Sequence, residues 1–297
     1  MECYLDTCIS CITFNTFVFG STKNTLSPTW RYAPAGVVWR LVPTASGKLI
    51  GEARDVQKKS ASFFCVNVRT GEVLWEGARF GEPWWLGIEA VHNDILLLHK
   101  FATPDLPEHR AVIAVDVLTG KELWRNEEVT FERLGSTSLH VVRAQAFSAQ
   151  HVRLDYRTGT PVESAEVDVD EVMWDDLLHD TELPTPLYNL TTDEPAAVLF
   201  GRHCSTEEVV LPLEVVERED CIVYGYYERL SAPTDERVCM KNVLLVVASR
   251  SGEEVFRDVI NARCWAAAPE AFFVCHDMLL YVRERTTLTA VALRQLH

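Results

Sequence analysis

Short runs of apolar or alternating residues, separated by polar turn residues, follow one another along this chain of 297 residues. The first group predicts β-strands at residues 37–42, 48–55, 62–68 and 72–75, joined by three reversals. A second group predicts strands near 84–92, 95–101, 111–117 and 121–124. Runs of this length are typical of strands, and the turns between them predict antiparallel four-stranded sheets.

One phrase recurs at the end of these groups. Residues 116–124 read DVLTGKELW and residues 67–75 read NVRTGEVLW, with weaker copies at 155–162 and 248–256. In each copy a Thr-Gly or Ser-Gly turn joins two strands, and the turn glycine supplies the positive φ that a tight hairpin needs. These glycines are Gly71, Gly120, Gly159 and Gly252. Such residues predict a fold and name no chemistry.

The repeat recurs at intervals of roughly 40 to 50 residues, which predicts an all-β fold, a β-propeller of antiparallel four-stranded blades. Each turn glycine is expected between the third and fourth strands of a blade. The last group shows only three strands, ending with 288–293, and we expect residues 29–32 to supply the fourth and close the ring. Residues 166–207 decide the blade count. We favour six blades, with this stretch as a degenerate blade; the alternative is five blades and a helical insertion.

Composition bounds the possible partners. The hydrophobic content of 47% allows a large core, and we interpret residues 26–297 as a single propeller domain after a loosely attached extension, residues 1–25. A net charge of −15 would repel a phosphate backbone, so nucleic acid is not an expected ligand.

No run approaches the roughly 18 apolar residues of a membrane helix. The nine cysteines are scattered and suit a reducing compartment. We therefore expect a monomeric cytoplasmic protein with no membrane partner.

The order strand, Asp or Asn, Thr-Gly, Leu-Trp resembles the repeats of pyrroloquinoline-quinone-type propellers. The end of the chain, residues 242–282, is also similar in order to an uncharacterised bacterial family of about this length. The resemblance to the quinone enzymes implies adjacent cysteines in a disulfide and calcium held by Glu, Asn and Asp. This sequence has no Cys-Cys pair and no such group of residues that can be aligned. We therefore expect no cofactor.

Candidate chemistry is sparse. Cys8 and Cys11, with Cys3 nearby, could supply zinc thiolates, but structural zinc takes four ligands, so a thiol-bearing tail is favoured. The acidic run within 166–182 lacks the spacing of a calcium loop and is interpreted as a solvated helix face. No metal site is expected. His99 and His140 are interpreted as partly buried strand residues rather than bases. Catalytic residues are unknown.

Two charged residues lie inside a predicted strand. Glu52 and Arg54 are two apart, so their side chains share one face. They form either a structural ion pair, which we favour, or part of a polar site. Of the adjacent Trp84 and Trp85, one is expected in the core and the other as a surface anchor, because neighbouring residues of an extended chain face opposite ways.

The connections at 102–110 and 229–242 are longer than hairpins need, and both are expected at the end of the blades opposite the Thr-Gly turns. Expanded polar loops on one face are a feature of recognition surfaces. The residues expected to bind there are Asp105, Glu108, His109, Arg110, Asp235, Glu236 and Arg237.

Function follows from this architecture by analogy only. We favour a non-catalytic binding or scaffold protein that recognises an unknown protein or small molecule through the loops. The alternative is a small-molecule hydrolase or lyase with its site at the mouth of the central channel. Three or more carboxylates or histidines pointing into that mouth would favour the enzyme, and an apolar channel would favour the scaffold.

Overall fold

Antiparallel β-sheets dominate the structure. The computed structural model describes residues 25–101, 108–144, 148–162, 180–230, 238–268 and 270–294. The strands of these residues form five sheets, numbered here 1 to 5. The spatial order of strands in sheets 1 and 2 follows the chain, which confirms the two groups predicted from the sequence.

The first three sheets have simple meander order. Sheet 1 contains β2 (Val37–Pro43), β3 (Lys48–Asp55), β4 (Ser60–Asn67) and β5 (Val73–Ala78). Sheet 2 contains β6 (Leu86–His92), β7 (Ile95–Phe101), β8 (His109–Asp116) and β9 (Glu122–Asn126). Sheet 3 contains β10 (Val129–Leu134), β11 (Leu139–Ala144) and β12 (Ala149–Leu154).

Sheets 4 and 5 each gain a short strand beyond the predicted four. Sheet 4 contains β14 (Thr185–Leu187), β15 (Val209–Glu217), β16 (Cys221–Arg229), β17 (Met240–Ala248) and β18 (Glu254–Cys264). Sheet 5 contains β13 (Thr181–Glu182), β19 (Phe272–Cys275), β20 (Met278–Arg283), β21 (Thr287–Ala292) and β1 (Pro28–Tyr32). Helix α1 (Pro195–Gly201) precedes β15. No described helix has both the length and the apolar character that crossing a membrane requires.

The stretch on which the blade count depends is described only in part. Residues 180–207 contribute β13 to sheet 5, β14 to sheet 4 and the helix α1, and they form no separate four-stranded sheet. The helical pattern expected before residue 180 lies outside the described residues. The number of blades therefore stays a prediction.

Strand β1 closes the sheet formed by the last strands of the chain. It pairs antiparallel with β21, and Trp30 lies opposite Ala290. This pairing satisfies backbone groups that would otherwise be open on both strands, and it confirms the predicted closure. Consecutive antiparallel sheets joined in this way make the protein a β-propeller.

The core lies between neighbouring sheets. Phe63 of sheet 1 packs with Ile88 and Leu98 of sheet 2, and all three are fully buried. Comparable clusters join sheets 2 and 3, sheets 4 and 5, and sheets 5 and 1. One face of sheet 4 is covered differently, because α1 packs on it through the buried Phe200. Each described sheet is thus stabilised mainly by burial of apolar area against the next element.

A tryptophan on the outer strand of one sheet locks onto the Thr-Gly turn of the next. The Trp75 indole Nε1–H donates to the Val117 carbonyl at 2.7 Å. The ring lies so close to Gly120 that a Cβ at this glycine would be 2.6 Å from it. Gly120 also has φ +65°, and its N–H donates to the Asp116 carbonyl at 2.8 Å. The glycine is therefore required twice, for its backbone conformation and for the ring against it.

The same lock occurs at two more junctions. The indole N–H of Trp30 donates to Val68 at 2.9 Å, and that of Trp124 donates to Tyr156 at 2.8 Å. Their rings lie against Gly71 and Gly159 respectively. Both glycines have positive φ and follow the third strand of their sheet, as predicted. The Thr-Gly turns therefore do more than close local hairpins. They also form the contacts between neighbouring sheets.

The turn at Gly252 has a different neighbour. It lies between the third and fourth members of the β15–β18 meander, with φ +67°, as predicted. Here Leu199 and Arg202 at the end of α1 approach the glycine, and the His203 ring Nε2 lies 2.9 Å from its carbonyl oxygen. The helix and the residues after it therefore occupy the place that a tryptophan takes at the other turns.

The tryptophan lock can be tested with two glycines of nearly the same backbone conformation. Gly120→Ala and Gly77→Ala both place Ala at φ near +66° (+65° and +67°), but a Cβ at Gly77 meets nothing within 4 Å. We expect G77A to lower the free energy of unfolding by about 1 kcal/mol, the cost of a left-handed Ala. G120A should lower it by about 2–4 kcal/mol because the methyl group also displaces Trp75. Urea denaturation measures both, and equal losses would contradict the lock.

Candidate functional site

The two ends of the sheets differ. The turns between first and second strands and the Thr-Gly turns lie at one end, named here the turn face. The connections between second and third strands, and those leading into the next sheet, lie at the other end, the loop face. The strand order therefore places the strand ends that flank the two expanded connections opposite the Thr-Gly turns, as predicted. Two polar groups of candidate functional residues lie near the loop face, one joining sheets 1 and 2 and one on sheet 2.

Glu52 and Arg54 near the end of β3 form a buried ion pair. Arg54 Nε lies 2.5 Å from Glu52 Oε1, and both side chains are almost fully buried. The guanidinium also donates to the carbonyl oxygens of Trp84 at 3.2 Å and Leu86 at 2.9 Å in the neighbouring sheet. The favoured structural pair is confirmed, and it joins sheet 1 to sheet 2.

Two tryptophans flank the same guanidinium. Arg54 Cζ lies 5.1 Å from the centre of the Trp39 ring and 4.9 Å from that of Trp84. Cation–π contacts of this length are favourable, more so when the cation is desolvated. Trp39 is thereby held in place although 55% of it remains exposed.

A second polar cluster spans three strands of sheet 2. Glu89 lies at a bulge of β6, His99 near the end of β7 and His109 at the start of β8. Glu89 Oε2 is 2.8 Å from His109 Nδ1 and 3.0 Å from His99 Nδ1. The two imidazoles stack with ring centres 3.4 Å apart and planes 8° apart. Phe101 packs edge-on against both rings.

The charge of Glu89 is set by competing effects. Burial raises the pKa of this carboxyl, but its close contacts with the His99 and His109 imidazoles outweigh that effect, so the pKa lies below its usual value. Glu89 is therefore a carboxylate at neutral pH. A carboxylate that faces two imidazole nitrogens can accept hydrogen bonds from them or share a cation with them.

Three of the seven predicted binding residues are described. His109 belongs to the cluster with Glu89, while Glu108 and Arg110 on either side of it are exposed. The other four lie outside the described residues: Asp105, Asp235, Glu236 and Arg237. The structure therefore places His109 in a polar cluster and leaves the binding role of all seven a prediction.

Sequence reasoning missed Glu89 and the partner of His99. The signal was present, since Glu89 interrupts the apolar run from Ile88 to Val91 in an inner strand. A charge inside an otherwise buried strand indicates a partner elsewhere. The sequence could not show that His99 and His109 are that partner, because the loop between them hides their register.

A cavity of about 450 Å³ lies between the inner strands of sheets 1 and 5. Its lining is largely apolar, with Trp39, Leu41, Leu183 and Phe273 among the side chains. Glu270 is the single carboxylate among the described lining residues, which include no histidine. No group of three carboxylates or histidines, which would favour a channel enzyme, lies among these lining residues; the cluster of Glu89, His99 and His109 lies on sheet 2, outside this cavity.

Aromatic side chains are exposed at the loop face. Trp85, just before β6, is 37% exposed, and Trp265, just after β18, is 66% exposed. With Trp39 they make three exposed tryptophans at this end. Trp84 is half-buried against Arg54 and is therefore less exposed than Trp85, but it lies on the ion pair and not in the apolar core as one of the two was predicted to do. The tryptophans of the lock, by contrast, lie toward the turn face.

Comparisons with known proteins identify no function. A family model described as "Domain of unknown function (DUF4905)" matches residues 42–124, most of sheets 1 and 2. No curated protein matches the chain. The resemblance to pyrroloquinoline-quinone-type repeats therefore stays a prediction.

Several solved structures are similar at low identity. A europium-containing methanol dehydrogenase has a TM-score of 0.31 and 11% identity, over 88% of this chain and 52% of that one. The β-propeller domain of Myceliophteria thermophila Cps50 (Swd1) has a TM-score of 0.33 and 10% identity, over 90% of this chain and 99% of that one. Sqt1 of Saccharomyces cerevisiae has a TM-score of 0.24 and 10% identity, over 86% of this chain and 71% of that one. The chain spans about half the length of the methanol dehydrogenase. At these TM-scores the likenesses carry no argument about residues or activity.

The buried ion pair predicts a specific pattern of stability. Arg54→Met should lower the free energy of unfolding by about 3–5 kcal/mol, because it leaves the Glu52 carboxylate buried and unpaired. The double variant E52L/R54M should recover most of that loss, since it removes both charges. Chemical denaturation of the three proteins measures the difference. A loss under about 1 kcal/mol in R54M would contradict the expectation that the unpaired Glu52 carboxylate is costly in this buried position.

Proposed function

We propose that this protein is a non-catalytic binding protein that recognises a protein partner through its loop face. The observation that carries the proposal is the gathering of exposed tryptophans at that end, Trp39, Trp85 and Trp265. Tryptophan and arginine are enriched among the residues that dominate binding energy at protein interfaces. Exposed tryptophans at one end of a rigid fold therefore favour a recognition surface.

The arrangement around Trp39 suits binding without large reorganisation. The ring rests on Arg54, whose guanidinium is fixed by Glu52 and by two backbone carbonyls of sheet 2. A side chain that is already ordered loses little conformational entropy when a partner covers it. The stack of Trp39, Arg54 and Trp84 thus presents a preorganised aromatic surface.

The remaining observations favour a protein as the partner. The net charge of −15 disfavours nucleic acid, and the inner cavity offers apolar surface with a single described carboxylate. Sites for chemistry on small molecules bring several polar groups together in such a cavity. In this proposal the predicted loop residues form the rim around the tryptophans: Asp105, Glu108, His109, Arg110, Asp235, Glu236 and Arg237.

The proposal is tested by quantitative affinity capture with matched variants. W39A/W85A removes two tryptophans from the loop face, and Leu118→Ala removes an apolar side chain, 50% exposed, from a Thr-Gly turn on the opposite face. We expect the double variant to capture at least 10-fold less of each specific partner than the wild type captures. L118A should capture the same amount as the wild type. Melting temperatures, measured alongside, show how much the loss of the Trp39–Arg54 and Trp85–Phe101 contacts lowers stability, and capture is compared well below all of them.

Purified captured proteins are then titrated directly. A partner that binds wild type and W39A/W85A with equal affinity, or more weakly to L118A than to the double variant, would overturn the loop face as the recognition surface. Absence of any protein that binds the wild-type chain specifically would overturn the binding function itself. E236A/R237A extends the same titration to the rim.

A further inference from the structure

Glu89, His99 and His109 present three metal-ligand atoms at one point near the loop-face end of sheet 2. One nitrogen of each imidazole and one carboxylate oxygen all lie within 4.8 Å of one another. We propose that these three residues bind a divalent transition metal ion, with zinc the favoured ion. This inference does not depend on the proposed partner recognition, although His109 is named in both, because metal binding is a different chemistry and is measured without a partner.

The separations fit a tetrahedral ion. Zinc bonds to imidazole nitrogen and carboxylate oxygen are about 2.0–2.2 Å long, so two ligand atoms of a tetrahedron lie roughly 3.3 Å apart. Glu89 Oε2 is 2.8 Å and 3.0 Å from the two Nδ1 atoms. One nitrogen of each imidazole lies within 4.8 Å of the other, and the stacked rings, now nearly parallel, would turn apart to aim both nitrogens at the ion.

His99 is the strongest reason to expect a ligand. It is 3% exposed, and neither ring nitrogen has a hydrogen bond of good geometry, although Nδ1 lies 3.0 Å from the Glu89 carboxylate. Buried polar atoms are nearly always satisfied, so an unsatisfied one calls for a partner. A metal ion bound at Nδ1 supplies it. The stacked His109 offers its own Nδ1 to the same carboxylate oxygen, in a nearly parallel ring.

Backbone and an aromatic ring hold the imidazoles in place. A Cβ at Gly87 would lie 3.1 Å from His99 Nε2, so this edge of the ring packs against the glycine, where a side chain would not fit. Phe101 shields both imidazoles from the side.

The donor set selects among metals. Calcium and magnesium prefer oxygen ligands, whereas imidazole suits zinc, copper, iron and nickel. Two histidines and one carboxylate leave a coordination position open, as in zinc sites that bind a further ligand. His109 is one-third exposed, so an ion and that further ligand can reach the site from the loop face.

The test measures zinc binding to the full-length chain. Protein stripped with a chelator is titrated with zinc against a chromophoric indicator, and bound metal is counted by mass spectrometry after dialysis. We expect one zinc per chain at this site and a rise in melting temperature with zinc. Glu89→Gln and His109→Gln should each weaken this zinc binding at least 100-fold and abolish the rise. Cobalt in place of zinc should give the visible spectrum of a nitrogen and oxygen site.

A Glu–His pair on sheet 3 provides the control. His151 Nδ1 lies 2.9 Å from Glu132 Oε1 in an exposed position, and the described residues add no third ligand to it. E132Q/H151Q should bind zinc as the wild type does. Zinc binding that persists in E89Q and H109Q, for example at Cys3, Cys8 and Cys11, would overturn the site. So would a wild-type chain that binds no zinc stoichiometrically, which would identify the cluster as a proton-sharing ion pair.

Discussion

This fold depends on the packing of an indole ring of one sheet against a tight turn of the next. Trp75 stacks on Gly120 and donates its N–H to the carbonyl of Val117, so one side chain supplies both apolar burial and a directional hydrogen bond. Apolar packing alone would let two sheets slide, because the hydrophobic effect has no direction. The hydrogen bond fixes the register of one sheet against the next. Repetition of the lock then aligns successive sheets.

This contact explains why the repeat reads as it does. Asp116 accepts hydrogen bonds from the turn through its carboxylate and its carbonyl, and the glycine takes the left-handed conformation. Only a residue without Cβ leaves room for the indole. Where α1 covers sheet 4, Gly252 keeps the turn but meets Leu199 instead, so the turn persists without its tryptophan. Before the first sheet in the sequence, the Trp30 indole donates to the carbonyl of Val68 in the turn of sheet 1, and β1 completes sheet 5 by pairing with β21.

Much of the fold could be predicted because it rests on local chemistry. Thr-Gly turns, alternating strands and the closing segment around Trp30 are each read from a few neighbouring residues. The two additional strands β13 and β14 could not be predicted, since strands of two and three residues carry no periodic signal. The Glu52–Arg54 pair was visible because its members are two apart. Glu89 and His109 meet across a loop, and no spacing rule finds such a pair.

The interface between sheets 1 and 2 changes character from one end to the other. Toward the turn face it is built from side chains such as Ile50 and Leu96, which exclude polar atoms. Toward the loop face the same two sheets bury the ion pair of Glu52 and Arg54. Buried charges contribute little net stability and cost much when unpaired. The tryptophan locks hold the sheets near the opposite end, so the loop end is not required to supply that stability. Because the tryptophan locks stabilise the contacts between sheets near the turn face, the loop face can bury ionisable groups without loss of the fold. Those groups make the loop face suited to binding.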